Sequence, residues 1–207
     1  MKNPALAAGA LLAATLLSAC SPQEQQTAPS VSVAPAASVS PSSTPTPTPS
    51  RNENARGQLI KQIGEAATLH TGGQGTPATL TFKVTSIKAI ECDAPYATPP
   101  NGTALAVAIE AASTPEFEGP LEVNGQPGLL SFGSHYWKGY AENGTRMNTV
   151  DSSVTYNCLA DKTRLLPDYI GKGEKLNGLV ILDVSSPTGE VSFDPSGGGG
   201  WVWRYPS

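Results

Sequence analysis

The chain has 207 residues, a formal net charge of −4, 39% hydrophobic residues, three cysteines and two histidines. A collagen or coiled coil is excluded, because glycine has no three-residue period and only 14% of the residues are charged. The acidic excess predicts no nucleic-acid partner, since proteins that bind nucleic acids present a basic surface. Two histidines also argue against a histidine-rich metal site.

Residues 1–19 have the form of a signal peptide, with Lys2 before an apolar run over 5–17. This run is shorter than the roughly 20 residues that cross a bilayer. It ends in Leu17-Ser18-Ala19-Cys20, which resembles the bacterial lipobox. The resemblance implies cleavage before Cys20 and a diacylglycerol on its thiol, hence a lipid anchor on the outer face of the cell membrane. The alternative is an ordinary secretory signal with a chance cysteine.

Residues 20–57, which begin with the lipidated cysteine, are predicted to form a linker. The 30 residues 21–50 include seven prolines, eight serines and one charged side chain, Glu24. Such a segment buries too little apolar surface to offset its ordering entropy, so it is predicted to be a disordered spacer. An O-glycosylated stalk is the alternative. Apolar residues at helical spacing then predict a helix near 52–63, followed by a strand near 65–70.

Residues 58–207 are predicted to be all-β. Leu80, Phe82 and Val84 alternate with polar residues, as in a half-buried strand over 79–87. Further strands are predicted over 104–111, 129–132, 135–140, 154–159, 178–184, 191–193 and 201–205. Four Asn-Gly pairs, beginning at positions 101, 124, 143 and 177, favour hairpin turns. The segments 129–132 and 135–140 are expected to pair. About seven or eight short strands in one domain predict an immunoglobulin-like β-sandwich.

Two cysteines remain beside Cys20. Cys92 and Cys158 are expected to form a disulfide, because the signal peptide places them in an exported setting. The alternative is two buried free thiols. Tyr156 lies two residues before Cys158, which matches the tyrosine corner of immunoglobulin domains. A tryptophan is expected soon after the first cysteine of an antibody domain, whereas Trp137 lies 45 residues after Cys92.

Four segments together resemble a telokin-like family of immunoglobulin-like domains of unknown function. They are Ile63-Gly64-Glu65, the strand 104–110, the segment 173–184 and the segment 190–195. The family occurs in lipoproteins and secreted proteins of Gram-positive bacteria, especially actinobacteria. The resemblance implies a β-sandwich with an extracytoplasmic role, and it supplies no catalytic motif.

No constellation in the sequence predicts catalysis, a cofactor or a metal. Nucleophilic catalysis needs a histidine beside the nucleophile, and only His70 and His135 are present. Ser134 is adjacent to His135, so the two side chains would point to opposite faces of a strand. Glu116, Glu118 and Glu122 form an acidic cluster in the sequence, which is predicted to be a solvated edge. The segment 171–175 is predicted to be a turn.

Trp201, Trp203 and Tyr205 share one face of the last predicted strand. If exposed, they form a platform for a sugar or peptide; if buried, they belong to the core. The layout of anchor, spacer and sandwich predicts a non-catalytic binding or adhesion module for an envelope or extracellular protein or polymer. The alternative is a structural or accessory subunit of an envelope complex, for example a transporter.

Overall fold

The computed structural model describes residues 52–73 and 75–206. These residues form ten strands, one α-helix and two 3₁₀ turns, at Ser134–Tyr136 and Lys162–Arg164. The strands and helix are β1 (Leu59–Ile60), β2 (Ala66–Leu69), β3 (Leu80–Ile90), β4 (Thr103–Ser113), β5 (Gly119–Val123), β6 (Gln126–Gly128), β7 (Trp137–Ala141), α1 (Ser153–Asn157), β8 (Lys175–Val184), β9 (Gly189–Phe193) and β10 (Trp201–Tyr205).

Eight of these strands form two four-stranded sheets. Sheet A has the order β1-β10-β9-β7, sheet B has the order β2-β3-β4-β8, and β5 and β6 form a separate hairpin. The short β1 is parallel to β10, and the other pairs are antiparallel. Buried side chains of both sheets join one core cluster, so the fold is the predicted immunoglobulin-like β-sandwich.

The alternation predicted in β3 places its apolar residues in this core. Leu80, Phe82 and Val84 are at most 1% exposed, whereas Lys83 and Thr85 between and after them face solvent. The ring of Phe82 lies edge-on to Trp201 at 5.0 Å between centroids and to Phe193 at 5.6 Å. Phe82 therefore connects the inner faces of the two sheets.

Four other strands begin or end close to the predicted bounds: β4, β8, β9 and β10. The segment 129–132 does not pair with 135–140, however. Leu129 and Leu130 form isolated bridges to Leu121 and Ile170, while β7 pairs with β9. The 3₁₀ turn at Ser134–Tyr136 takes up the first two residues of the segment 135–140 and breaks the predicted hairpin.

The helix predicted over 52–63 is wrong, while the strand near 65–70 is confirmed as β2. Gly57 has a φ of +73°, which the interior of a helix cannot contain. Leu59 instead pairs with Trp201, and its backbone N–H donates to the carbonyl of Gly200 at 3.0 Å. Pairing with a distant strand overrides the local helical spacing.

The Asn-Gly pairs that begin at positions 124 and 177 lie in different kinds of local structure. Asn124 and Gly125 have φ of +51° and +78° and form the predicted tight turn between β5 and β6. Asn177-Gly178 lies within β8, so the turn predicted there is wrong. A Cβ on Gly178 would approach the Cα of Leu166 to 2.8 Å. The glycine is thus required by a crossing segment rather than by a turn.

The outer face of sheet A is closed by the segment before β1. Arg56 stacks over the ring of Tyr140 at 4.0 Å and forms an ion pair with Glu190. Gln58 is 3% exposed and donates to the phenol oxygen of Tyr140 at 3.3 Å. This segment fixes the first described residues against sheet A.

Glu116, Glu118 and Glu122 are exposed beside the β5–β6 hairpin, as predicted for a solvated edge. Glu118 forms an ion pair with Lys172, which lies in the turn that leads into β8. No helix in the described ranges has the length and apolar character needed to cross a membrane.

Candidate functional site

The segment predicted as a strand over 154–159 is instead the short helix α1 with its following turn. Ser152 caps the helix, because its Oγ accepts from the backbone N–H of Val154 at 3.1 Å. Val154, Cys158 and Leu159 are at most 3% exposed and pack on the outer face of sheet B with Ala106 and Ile181 of β4 and β8. Helical spacing of these apolar residues, together with the serine cap, explains the difference.

Tyr156 points away from this contact and is 58% exposed. A tyrosine corner requires a tyrosine near the start of the strand that carries the second cysteine, with its hydroxyl bonded to the backbone a few residues upstream. The tyrosine-corner interpretation is therefore wrong, because Tyr156 lies on a helix.

A disulfide between Cys92 and Cys158 joins α1 to the loop 91–101, which connects β3 to β4. The predicted pairing is confirmed, with the two Cα atoms 4.4 Å apart. The backbone N–H of Asp93 donates to the carbonyl of Cys158 at 2.9 Å, and the N–H of Ala160 donates to Oδ1 of Asp93 at 2.7 Å. The start of the loop is thus held by one covalent bond and by hydrogen bonds in both directions.

The other end of this loop is held by Asp183, a β8 residue that is 3% exposed. Its carboxylate accepts from the backbone N–H of Asn101 at 2.9 Å and from the Asn101 amide at 2.9 Å. The same carboxylate accepts from Oγ of Ser152 at 2.8 Å. One buried acid therefore positions both the loop and the cap of α1.

We expect Asp183→Asn to lower the free energy of unfolding by about 1.5–3 kcal/mol, the usual range for hydrogen bonds to a charged group. The amide would place a donor where the native oxygen accepts from Asn101 and Ser152. Urea denaturation measures the loss, and Asp168→Asn serves as the control because Asp168 is exposed. Equal stability of the two variants would contradict the role of Asp183.

Three tyrosines are exposed on the segments around α1. Tyr96 of the loop 91–101 is 95% exposed, Tyr156 of α1 is 58% exposed and Tyr169 is 40% exposed. We call these three residues the tyrosine surface. Ile63 is the remaining large hydrophobic side chain that is exposed in the described ranges.

Each tyrosine is next to a fixed part of the backbone. Oγ1 of Thr98, two residues after Tyr96, lies 2.8 Å from Oγ of Ser153 in α1. Ile170, directly after Tyr169, is fully buried and exchanges two backbone hydrogen bonds with Leu130. A groove of about 80 Å³ separates Tyr156 from the segment 165–168. The exposed rings are therefore presented by segments whose backbones are already ordered.

The surroundings of the tyrosine surface are polar and of mixed charge. Lys162 donates to the carbonyl oxygen of Tyr156, and Arg164 is exposed nearby in the chain. The loop 91–101 carries Glu91 and Asp93 and no cationic residue. Asp161 follows α1, and hydrogen bonds from the hydroxyl and the backbone N–H of Thr163 lower its pKa. This carboxylate therefore stays ionised at neutral pH.

The predicted ring platform of Trp201, Trp203 and Tyr205 is not on the surface. The three side chains are 7%, 1% and 3% exposed and lie in the core, so the burial alternative is confirmed and the platform is wrong. Burial raises the pKa of Tyr205 to about 12. Trp137 joins the same cluster, with its ring centroid 5.9 Å from that of Trp203.

The histidines lie outside any nucleophile arrangement in the described residues. His135 is exposed in a 3₁₀ turn and packs on Tyr136 with ring centroids 4.1 Å apart. Oγ of Ser134 donates to Asp151 at 2.7 Å. Nδ1 of His70 lies 2.7 Å from the carbonyl oxygen of Thr76. Across the described ranges, no group of three or more His, Cys, Asp or Glu side chains is arranged to hold a metal.

Sequence reasoning missed Tyr96 and Tyr169. The signal for Tyr96 is its place four residues after Cys92, within a loop that also contains Pro95, Pro99 and Pro100. The three prolines restrict the backbone torsions of this loop, and Cys92 links it to the disulfide. Tyr169 has no comparable signal.

Cys20 and residues 21–51 of the predicted linker lie outside the described residues. Residues 52–57, predicted to belong to the linker, are instead ordered against sheet A, because Glu53 bridges to Leu59 and Arg56 stacks over Tyr140.

No protein-family model and no curated protein matches the chain. The crystal structure of MPT63, a secreted protein from Mycobacterium tuberculosis, is similar over 71% of this chain and 97% of MPT63, with 15% sequence identity and a TM-score of 0.47. Similarity at this level carries no argument about function. The resemblance to the telokin-like family stays a prediction.

Proposed function

We propose that the chain is a lipoprotein that anchors a non-catalytic binding module to the outer face of the cell membrane. The module is the β-sandwich, and the tyrosine surface is the part that contacts its ligand. The observation that carries the proposal is the exposure of Tyr96 and Tyr156 on segments held by a disulfide and a buried carboxylate, with Tyr169 exposed beside the buried Ile170.

Order in the unbound state favours binding. A loop that must be ordered on association reduces affinity, whereas a loop already fixed does not. The loop 91–101 is held at both ends, by Cys158 and by Asp183. Tyrosine adds large contact area with only two side-chain torsions. These features support a binding role for this part of the molecule.

The anchor is tested by Cys20→Ala in the producing cells, followed by detergent phase partitioning. We expect the wild-type chain in the detergent phase and the variant in the aqueous phase, because one cysteine carries the acyl chains. The variant Cys92→Ala/Cys158→Ala is the matched control and should remain in the detergent phase. Retention of the Cys20→Ala chain in the detergent phase would disprove the anchor.

The ligand-contacting role is tested by photo-crosslinking in intact cells. A photoreactive phenylalanine analogue is placed at Tyr96 or, as a control, at Glu122 on the exposed β5–β6 hairpin. We expect a discrete crosslinked product from position 96 and none of that product from position 122. The same products from both positions would remove the support for the tyrosine surface.

If the product from position 96 contains the subunits of one envelope complex, the accessory-subunit alternative gains support over an adhesion module. A product with a free extracellular protein or polymer favours adhesion.

A further inference from the structure

We infer that Asn124, at the tip of the β5–β6 hairpin, is a site of spontaneous covalent modification. Its side-chain amide is converted to a carboxylate by attack of the backbone nitrogen of Gly125, whereas the fold protects the three other Asn-Gly pairs, which begin at positions 101, 143 and 177. The inference goes beyond the proposed binding role and does not depend on it.

The reaction needs no group other than the two residues and water. Glycine carries no Cβ beside the attacking nitrogen, so the approach meets little steric resistance. The nitrogen of Gly125 forms a bond to Cγ of Asn124, and the bond from Cγ to the amide nitrogen breaks. Ammonia leaves with the proton of the glycine N–H, and a cyclic imide remains. Water then opens the imide at either carbonyl to give aspartate or isoaspartate, and nothing is oxidised or reduced.

The turn at Asn124 is lightly held. Asn124 and Gly125 are exposed, and a Cβ added to Gly125 would meet no other group within 4 Å. Within the described ranges, neither the N–H of Gly125 nor the side-chain amide of Asn124 has a hydrogen-bond partner. Beyond the bridge between Leu121 and Leu129, a single strand pair holds the tip, Val123 with Gln126.

Attack requires rotation about the Cα–C bond of Asn124, so the native turn must open. Asn124 has a φ of +51° and is the one residue other than glycine with a positive φ in the described part of the chain. Asparagine tolerates this conformation but does not favour it, so opening also relieves backbone strain. A short hairpin tip with few contacts opens at low cost in free energy.

The turn at Asn143 is held more firmly, although Asn143 and Gly144 are also exposed. The N–H of Gly144 donates to the carbonyl of Ala141 at 2.8 Å, and the N–H of Ala141 donates to the carbonyl of Thr145 at 2.9 Å. Oδ1 of Asn143 accepts from the N–H of Thr145 at 3.0 Å. The attacking nitrogen and the amide that it would attack are both engaged, so the reaction requires these bonds to break.

The two remaining pairs are fixed by contacts with other strands. The backbone N–H and the amide of Asn101 each donate to the carboxylate of Asp183 at 2.9 Å. Asn177 lies within β8 and pairs with Glu110 in a ladder that covers the whole strand. Rotation at either residue would break these contacts, so both are protected while the sandwich is folded.

The modification changes the hairpin in charge and in length. Either product adds a carboxylate two residues after Glu122, which is also exposed. In isoaspartate the main chain runs through the side-chain carbon, so the turn contains one additional methylene group. Because turn length sets the register of a hairpin, we expect the pair of Val123 with Gln126 to be lost. The two four-stranded sheets are separate from this hairpin and should stay intact.

The test is incubation of the purified full-length chain in mildly alkaline buffer, followed by peptide mapping with mass spectrometry. The imide is detected as loss of ammonia, and the final products are detected as replacement of NH₂ by OH. We expect position 124 to react roughly 10-fold faster than positions 101, 143 and 177. This factor corresponds to about 1.4 kcal/mol, which the loss of two further hydrogen bonds supplies at the protected positions.

Two controls separate the fold from the dipeptide. In guanidinium chloride all four pairs should react at similar rates, because each has the same Asn-Gly sequence. Asn124→Gly keeps a residue that accepts a positive φ but removes the amide, so the reaction at 124 should vanish while the other positions are unchanged. Equal rates at positions 124 and 143 in the folded chain would overturn the inference. So would a folded chain in which Asn124 stays intact while the unfolded chain reacts.

Discussion

Replacing Cys92 and Cys158 together by alanine is expected to lower the free energy of unfolding by about 4 kcal/mol. The bridge spans a sequence separation of 66 residues, and loop closure of that length gives this value in the chain-entropy description. In a domain of about 150 residues, this corresponds to a fall of roughly 8–16 °C in the thermal midpoint. Differential scanning calorimetry of the variant and the wild-type chain measures both quantities.

Treatment of the wild-type chain with a reductant should reproduce the effect, and the same treatment should leave the double variant unchanged. The bridge lies in the outer cluster with Val154 and Leu159, not between the two sheets. The far-UV spectrum at low temperature should therefore keep its β-sheet form. A loss below about 1 kcal/mol would mean that the bridge contributes little to the folded state.

Phe82→Ala is expected to lower the free energy of unfolding by about 3–5 kcal/mol. The ring is 1% exposed and lies within 6.2 Å of the rings of Phe132, Phe193, Trp201 and Trp203, so its removal leaves a cavity between the sheets. Total stabilities of 5–15 kcal/mol are usual, so the variant should unfold at much lower urea concentration.

Phe82→Leu keeps much of the volume and should cost less than half as much. Tyr156→Ala is the surface control, with an expected change within about 0.5 kcal/mol, because that ring is 58% exposed. Similar losses for Phe82→Ala and Tyr156→Ala would show that the aromatic core is not the main source of stability.

Long strands with strict alternation could be predicted from the sequence. In β3, the buried and exposed residues alternate up to the bulge between Val84 and Ser86, which the period-two pattern does not reveal. Short elements could not be predicted in the same way. β1 consists of two residues whose strand pairing comes from β10, more than 140 positions away. The spacing of apolar residues over 52–63 depends on neighbouring residues alone and favours a helix. It does not indicate a partner strand so far along the chain.

The candidate site was predicted only in its disulfide. The pairing of Cys92 with Cys158 follows from the number of cysteines and from the predicted export of the chain. The sequence does not indicate on which face of the sheet the bridge lies. The alternation of aromatic residues in β10 puts their rings on one face of the strand, which fits either a ligand platform or the core. In the structure this face lies in the core. Tyr96 lies in a loop, where no hydrophobic periodicity indicates whether a side chain is exposed. Its exposure depends on the contacts that hold the loop at Cys158 and Asp183, and these come from distant parts of the chain.

The order of the strands along the chain has a mechanical consequence. A force applied at Asn52 while Tyr96 is held travels through β1, β2 and β3 before it reaches Cys92. β1 pairs with β10 through two residues and β2 pairs with β3 through four, whereas β3 pairs with β4 along ten. We therefore expect β1 and β2 to peel first. The 28 residues 52–79 would extend by up to about 90 Å while the tyrosine surface, fixed on β4 and β8, stays intact.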